Sequence, residues 1–429
     1  MTDLFALSEK AINGEINDQP FNRISLKLFE LTDEIAMVEA FSHSIIFKTE
    51  EGLVVFDTSN EQCGKPVVDA IRGWSTGRFN TIVYTHGHID HVGGSSEFLA
   101  DVNVHGHPEP RVIAHENILK RFDRYEVTGG YNTVINERQF GKLFSGQMTV
   151  IGKNNFLPKG TVRPNITYSD SLAFRAGSLD VILHYGKGET DDHTWAWIPK
   201  HKAICAGDFF IWNFPNAGNP QKVQRYPLEW AQTLRIMAGM DAEYFLPAHG
   251  LPIRGKGRIR MVLLDAAEAL ESLVAQTLEM MNKGVALSDI IHSVSVPEET
   301  LAKPYLRPLY DEPEFVVRNI WRLYGGWYDG NPANLKPASD RVIATEISQL
   351  SGGGDKLSAR AEELAEAGDF RLACFLIEAA VLAEPDNHRV HEARINIYTK
   401  RRKTETSLMA KGIFRHVAID SKAYLEKNS

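Results

Sequence analysis

Three histidines and an aspartate lie within six positions of the chain, directly after a short apolar run. The stretch is His86-Gly87-His88-Ile89-Asp90-His91, and it follows the predicted strand Thr81–Tyr84. Zn²⁺ and similar divalent ions bind this mixture of imidazole nitrogen and carboxylate oxygen. Without a cation, burying these groups together would be costly. The spacing therefore predicts a metal site at the end of a strand rather than a polar loop of solvated histidines.

The composition is typical of a soluble globular protein with two or three domains. The chain has 429 residues, of which 43% are hydrophobic, and its net charge of -8 argues against a nucleic-acid partner. No signal peptide and no apolar stretch long enough to span a membrane are recognisable in the sequence. Cys63, Cys205 and Cys374 are odd in number and far apart, which fits free thiols. We therefore expect a cytoplasmic protein.

The order of strand and helix patterns predicts two β halves followed by a helical region. Short β-branched runs begin at Ile24 and resume at Leu172, and each half ends in residues of the metal-binding type. Apolar residues at three- and four-residue spacing predict an amphipathic helix from Ile259 to Gly284. The expected fold is an αββα sandwich over residues 24–255, after an arm at 1–23 and before an all-helical domain at 256–429.

Five local predictions complete this outline. We expect a strand at Val102–Val104, a helix over Pro110–Tyr125 and a Gly/Asn-rich loop over Thr128–Asn136. The run Gly141–Pro164 is rich in glycine and proline, which predicts a long loop over the site that selects the substrate. Ala361–Ala383 is typical of one tetratricopeptide-type hairpin, which would serve stability or dimerisation.

The histidine cluster with its trailing Gly93-Gly94 resembles the motif of the metallo-β-lactamase-fold hydrolases. This resemblance implies a two-metal site whose other ligands come from later strand ends. Asp208, after the run Ala203–Gly207, corresponds to the bridging acid, and His249 corresponds to the final imidazole. Most members carry a histidine at the position where this chain has Glu189, 19 positions before Asp208.

A glutamate at this position is the pattern of the alkylsulfatase branch of the superfamily. The string Tyr324-Gly325-Gly326-Trp327-Tyr328-Asp329-Gly330-Asn331-Pro332 is similar to one in the alkylsulfatase dimerisation domain. The resemblance covers roughly residues 24–420 and implies a homodimer. Members of the branch carry a further C-terminal sterol-carrier-like domain that helps to hold an alkyl chain. This sequence ends soon after its helical region, so a long-chain, detergent-like substrate is not assumed.

The resemblance also implies the ligands of two divalent ions, most simply Zn²⁺, with Mn²⁺ or Fe²⁺ as alternatives. One ion would be held by His86, His88 and Glu189, the other by Asp90, His91 and His249, with Asp208 bridging. The two ions would generate a hydroxide nucleophile next to Asp90 and Asp208 at neutral pH. His193 competes with Glu189 as a ligand, and His184 is a candidate partner of a ligand, although either could be structural.

The leading functional hypothesis from this resemblance is hydrolysis of a small anionic sulfate ester. Arg138, Lys222 and Arg225 are the cations that could hold the anionic group, and each could equally be a surface residue. A second hypothesis keeps the metal chemistry but assigns a phosphoester, lactone or thioester substrate. A third, from another class, is a non-catalytic metal-binding interaction protein.

Overall fold

The computed structural model describes residues 3–16, 21–140 and 156–428. They form two mixed sheets with helices and then an all-helical region, which confirms the predicted fold class. The described residues divide into two compact units. The first comprises 3–16, 21–133 and 156–327, and the second comprises 134–140 and 328–428.

The first sheet has seven strands whose order in space follows the chain. Its first four strands pair in antiparallel fashion, and its last four pair in parallel. The strands are β1 Leu28–Glu30, β2 Ile35–Val38, β3 Ser44–Thr49, β4 Gly52–Phe56, β5 Phe79–Val83, β6 Arg111–His115 and β7 Ile166–Tyr168.

The second sheet has six strands and is antiparallel except between its fourth and fifth strands along the chain. Those two strands, β11 and β12, run parallel, so their carboxyl ends lie at the same edge. The strands are β8 Ser171–Ala176, β9 Leu179–Gly186, β10 His193–Ile198, β11 Ala203–Gly207, β12 Tyr244–Pro247 and β13 Ile253–Arg254.

Strand β4 shows how the layers pack, because it is buried at every position. Val54 and Phe56 belong to the core that includes residues of the second sheet. Leu53 and Val55 point to the opposite face and pack with residues of the neighbouring helices. A sheet covered on both faces reads as a continuous apolar run, as this strand does.

The helices of the first unit cover the sheets and continue beyond them. The predicted amphipathic helix is confirmed as α7, which buries Ile259, Val262 and Leu263 and ends at Asn282. The helices are α1 Leu4–Ile12, α2 Glu61–Trp74, α3 Ile89–Val92, α4 Ser95–Val104, α5 Asn117–Phe140, α6 Pro227–Ala238, α7 Lys256–Asn282, α8 Leu287–Ser293, α9 Glu298–Leu301 and α10 Pro313–Gly325; the end of α5, from residue 134, belongs to the second unit.

The described part of the second unit is helical. Its core includes Ala361, Ala373 and Ile377, where α12 packs on α13, and this contact confirms the predicted helical hairpin. The helices are α11 Asp340–Ser351, α12 Gly354–Glu366, α13 Phe370–Ala383, α14 His388–Thr404 and α15 Leu408–Asn428.

Three local predictions were wrong. Val102–Val104 ends helix α4, because Val102 and Phe98 share the buried face of that helix. Pro110–Tyr125 contains β6 before α5 begins at Asn117. Thr128–Asn136 lies inside α5, where only Thr128 departs from helical geometry.

Side-chain hydrogen bonds at Thr128 explain why α5 continues through its glycines. The Thr128 hydroxyl donates to Arg124 O at 2.8 Å, and Asn132 Nδ2 donates to Thr128 O at 3.1 Å. These bonds satisfy backbone groups that the kink would otherwise expose. Of the predicted loop over the site, residues 141–155 lie outside the described residues, and 156–164 contain neither helix nor strand.

The three cysteines are free thiols. In the described ranges, no helix has the length and apolar character needed to cross a bilayer.

Candidate metal centre

Two groups of ionisable side chains converge where strands of both sheets end. Since parallel neighbours such as β4 and β5, or β11 and β12, end at a common edge, the residues after them come close together. The residues following strands are His86 and His88 after β5, Asp90 and His91 on α3, Glu189 between β9 and β10, Asp208 after β11, and His249 after β12.

The first group consists of His86, His88, Glu189 and Asp208, with one potential ligand atom from each inside a 4.8 Å span. His86 Nε2 lies 2.8 Å from His88 Nδ1. His88 Nδ1 is 3.6 Å from Glu189 Oε1, and His86 Nε2 is 3.9 Å from Asp208 Oδ2. The structure thus brings together the residues predicted for one ion.

The second group consists of Asp90, His91 and His249. Asp90 Oδ2 lies 3.6 Å from His91 Nε2 and 3.4 Å from His249 Nε2. Asp208 faces this group as well, with Oδ2 at 3.4 Å from His91 Nε2 and Oδ1 at 3.5 Å from His249 Nε2. Asp208 therefore stands between the two groups, where the sequence analysis expects the bridging acid.

The donor atoms fit divalent cations. His91 Nε2 and Asp208 Oδ1 are buried and have no hydrogen-bond partner among the described residues, an arrangement that is costly unless a cation faces them. Burial lowers the pKa of His86 and of His88 well below the usual value, and neighbouring cationic groups lower it further. Both imidazoles are therefore neutral, which is the form that binds metal.

Charge pairing controls the pKa values of His91 and Asp208 in the second group. Burial alone would lower the pKa of His91, but the carboxylates of Asp208, Asp57 and Asp90 raise it well above the usual value. Burial would raise the pKa of Asp208, whereas His91 and His249 hold it far below its usual range. Asp208 is thus ionised and available as a ligand.

Asp57 orients His91 of the second group. It follows β4 with a left-handed φ of 60°, an uncommon conformation for a residue other than glycine. Its carboxylate accepts hydrogen bonds from Thr85 N and from His91 Nδ1, both at 2.7 Å. Because Nδ1 of His91 carries the proton of this bond, Nε2 is left to face the site.

Gly87 places the two histidines of the first group. Its N–H donates to Asp192 Oδ2 at 2.9 Å, and Arg121 Nε donates to the other oxygen of Asp192 at 3.0 Å. A Cβ atom at position 87 would lie 2.8 Å from both Arg121 Cδ and Ile118 Cγ1. Only glycine therefore allows the turn to approach α5 this closely.

Glu189 is held by a buried arginine and a buried amide. Asn216 Nδ2 donates to Glu189 Oε1 at 2.6 Å, and Arg225 Nη1 lies 2.7 Å from the same oxygen. Burial raises the pKa of Glu189 to about 7, and Arg225 opposes this rise. A further cation at the site would favour the ionised form in the same way.

The other predicted residues lie in different surroundings. His193 Nε2 accepts a hydrogen bond from Asp208 N at 3.1 Å, so this nitrogen is not directed to the metal groups. His184 stacks on Trp195 with ring centroids 4.2 Å apart, and it belongs to neither group. Arg138 is exposed near the end of α5, in the second unit, and its role with substrate stays a prediction.

Lys222 lies close enough to the metal groups for their charges to affect its pKa. Its Nζ is 5.6 Å from the centre of the Phe156 ring. Burial and then Arg225 lower the pKa of Lys222 to about 7, while Asp90 and Glu189 oppose this shift. Arg225 itself donates to Glu189 and to Asn216 O, so its charge serves the first group.

Sequence reasoning missed several residues of the site. Asp57, Asp192 and Asn216 support ligands without belonging to a motif. Tyr310 was also missed: burial raises the pKa of its hydroxyl, and Glu189 and Asp90 raise it further. Asp57 did leave a signal, since it is a carboxylate that ends a wholly apolar strand.

Family models match two parts of the chain. Residues 38–249 match the metallo-beta-lactamase superfamily, and residues 286–423 match alkyl sulfatase dimerisation. The chain combines a metallo-β-lactamase fold with an alkylsulfatase dimerisation domain. The resemblance proposed from the histidine cluster and from the Tyr324–Pro332 string is thereby confirmed.

Curated relatives of this metallo-β-lactamase-fold chain are alkylsulfatases. A linear primary-alkylsulfatase from a Pseudomonas species is 25% identical over 373 residues, covering 83% of this chain and 69% of the relative. An alkyl/aryl-sulfatase from Saccharomyces cerevisiae is 24% identical over 384 residues, covering 85% of this chain and 59% of the relative. Across the relatives compared, the chain spans 56% to 69% of their length.

A solved structure supports the same fold. The stereoselective inverting sec-alkylsulfatase Pisa1 from Pseudomonas sp. superposes with a TM-score of 0.81 at 22% identity. The match covers 92% of this chain and 65% of Pisa1. At this identity the likeness establishes the fold alone.

Proposed function

We infer that the protein is a dinuclear metal-dependent hydrolase of sulfate esters. The observation that carries this proposal is the pair of ligand groups that share Asp208, with Glu189 in the first group. The alkylsulfatase relatives at about 25% identity support the substrate class. Zinc is the ion favoured by the mixed imidazole and carboxylate donors, with manganese or iron as alternatives.

The charge of the site suits an anionic ester. Two divalent ions would bring four positive charges against the carboxylates of Asp90, Glu189 and Asp208. Arg225 is paired with Glu189 and offsets one of these carboxylates. The positive charge that remains favours an anionic ester over a neutral lactone.

Lys222 is our candidate for holding the sulfate group. It lies near Asp90, Glu189 and Phe156, and it loses its charge only around neutral pH, since its pKa is about 7. An ammonium group binds an anionic oxygen through charge-assisted hydrogen bonds. Divalent ions in the two groups would supply Lewis acidity and a hydroxide nucleophile at neutral pH. Asp57, Asp192, Asn216 and Arg225 keep the ligands oriented while the ester bond breaks.

An activity screen tests this function. Sulfate esters of short and long alcohols should be hydrolysed, while phosphate esters and lactones of matched size should react far more slowly. Elemental analysis of the same preparation should give two divalent ions per chain. Hydrolysis of the phosphate esters or lactones alone would overturn the sulfatase assignment, and a metal-free active protein would overturn the metal mechanism.

Labelled water then identifies the bond that breaks. In ¹⁸O-enriched water, the label enters the alcohol if the C–O bond is cleaved and enters the sulfate if the S–O bond is cleaved. Mass spectrometry of both products distinguishes these outcomes.

The proposal includes a homodimer. The dimerisation domain spans residues 286–423, and in the second unit it leaves Leu335, Val342 and Leu350 exposed by 53%, 55% and 87%. A partner chain could cover these side chains if they belong to one contiguous apolar patch. Sedimentation at micromolar concentration should give a dimer, and a monomer would contradict this part of the proposal. A cytoplasmic location stays a prediction.

A further inference from the structure

Helix α10 holds the loop that reaches Glu189. Its residue Asn319 is only 3% exposed. Asn319 Nδ2 donates to Ala217 O and to Arg225 O, both at 2.9 Å. One amide group therefore fixes two points of the loop at 216–225.

The oxygen of the same amide is also used. Asn319 Oδ1 accepts from Gln224 Nε2 at 2.9 Å and from Arg322 Nη2 at 3.1 Å. Gln224 in turn accepts from Arg322 Nε at 3.0 Å through its own oxygen. A side chain with donors and acceptor all engaged has a defined orientation, so Asn319 is a rigid attachment point.

Asp311, just before α10, binds the first part of the same loop a second time. Its Oδ2 accepts from Gly218 N at 2.6 Å and from Asn219 N at 3.1 Å. A Cβ atom at position 218 would lie 2.5 Å from Phe315 C and from Val316 N, so the loop approaches the first turn of α10 as closely as glycine permits.

The loop fixed in this way supplies a hydrogen-bond donor and an ion-pair partner to Glu189 Oε1. Asn216 immediately precedes Ala217, whose carbonyl Asn319 binds, and Arg225 has its own carbonyl bound by Asn319. Arg225 Nη1 also donates to Asn216 O at 2.8 Å, which joins the two residues. A continuous set of hydrogen bonds therefore runs from α10 to Glu189 Oε1.

We propose that Asn319 and Asp311 are positioning residues for Glu189, and that the stretch matched as a dimerisation domain thereby completes the first metal group. Both residues lie inside the matched range 286–423. The proposal rests on the ligand assignment under the proposed function and goes beyond it, since it gives this domain a part in metal binding within its own chain. Groups that orient a metal ligand typically change metal affinity by about 10- to 100-fold when removed.

The test is a cobalt titration of the metal-free, full-length protein. Co²⁺ binding is followed by its visible spectrum and by calorimetry, and the step lost in the Glu189→Gln variant is assigned to the first group. Asn319→Ala should weaken that step by about 10-fold or more and leave the other step unchanged. Arg318→Ala is the matched control, because this neighbouring side chain is 53% exposed and pairs with Glu314 at 3.6 Å, away from the loop.

A double-mutant cycle shows whether Asn319 acts through Glu189. In the Glu189→Gln background, Asn319→Ala should have no further effect on cobalt binding. Unchanged binding in a folded Asn319→Ala protein, an equal weakening of both steps, or a full effect in the Glu189→Gln background would each overturn the proposal. If Asn319→Ala fails to fold, Asp311→Asn tests the proposal instead. This variant keeps the shape of the side chain and should weaken the same cobalt step.

The cycle also separates this inference from the ligand assignment itself. If Glu189→Gln leaves both cobalt steps unchanged, Glu189 is not a ligand and the proposed metal site fails. If Glu189→Gln removes one step while Asn319→Ala and Asp311→Asn change neither, only the positioning role fails.

Discussion

The residues that orient the ligands of the two metal groups lie at different distances along the chain. His91, in the second group, is oriented by Asp57, and both belong to the first sheet and the turns that follow its strands. Glu189, in the first group, is oriented by Arg225 and Asn216, and their loop is bound by α10, about 100 positions beyond the loop. A dinuclear site can thus combine one half built locally with another half that depends on a distant helix.

This difference separates the consequences of substitutions. A substitution near β4 should weaken metal binding mainly at the second group. A substitution in α10 should weaken metal binding mainly at the first group. Asp208 is common to both, because its two oxygens face His249 and His91 on one side and His86 on the other. Substitutions at these three places provide graded tests of the comparison.

The largest effect is expected for Asp208→Ala. Removing the shared carboxylate should abolish binding at both groups and reduce ester hydrolysis by on the order of 10³-fold or more, since metal ions contribute several kcal/mol to such reactions. Elemental analysis and initial rates measure both quantities. His184→Ala is the control, because this imidazole stacks on Trp195 outside both groups. Retention of one full metal equivalent in Asp208→Ala would show that the groups are independent.

Asp57→Asn should affect mainly the second group. The amide cannot accept from both Thr85 N and His91 Nδ1 as the carboxylate does, so His91 loses its orientation. We expect metal affinity at this group to fall by about 10- to 100-fold. Cobalt titration should show the step assigned to Glu189 unchanged. Weakening of that step to the same extent would contradict the local character of the second group.

Lys222→Met should raise KM for a sulfate ester by about ten-fold and leave metal content unchanged, because a charge-assisted hydrogen bond is worth roughly 1.5–3 kcal/mol. The pH dependence has a definite sign. Since the pKa of Lys222 is lowered to about 7, the ammonium form prevails below pH 7 and is lost above it. KM of the unmodified protein should therefore rise above pH 7, and KM of Lys222→Met should not follow it. Parallel profiles would remove Lys222 from substrate binding.

A further effect concerns acid stability and involves His43, which lies beside the second group and donates from Nε2 to Gly250 O at 2.9 Å. Burial lowers the pKa of His43 from 6.5 to about 3, so it stays neutral when folded but protonates near pH 6.5 when unfolded. Its contribution to stability is present above pH 6.5 and is lost as the pH falls towards 3.

Urea unfolding of the metal-free protein at pH 7 and pH 5 measures this loss. His43→Gln should lessen the decline by about 2 kcal/mol, the linkage expected of one fully buried imidazole over this interval. An identical decline in protein and variant would show that His43 does not control acid stability.

The structure brings together the predicted site residues that lie in recognisable local patterns. His86 to His91 occupy one turn, and Asp208 and His249 each follow an apolar strand that is recognisable by itself. Asn216, Asn319 and Arg225 offered no such pattern, because only the packing of the loop against α10 brings them to Glu189.

Two of the wrong local predictions have different physical origins. Val102 favours a strand by its branched side chain, yet burial beside Phe98 fixes it in a helix. The glycines after Thr128 suggested a loop, but hydrogen bonds from Thr128 and Asn132 continue the helix there. Burial decided the first case, whereas local hydrogen bonds between residues four positions apart decided the second.

The position of Asp208 between the groups has a consequence for metal loading. A cation that binds one group aligns a carboxylate belonging also to the other, so the two binding events are thermodynamically coupled, and the coupling is the same whichever ion enters first. Two resolved cobalt steps require that this coupling is not strongly positive, so a half-loaded preparation should consist mainly of chains with one ion. Activity that needs both ions would then lag behind total metal at low occupancy.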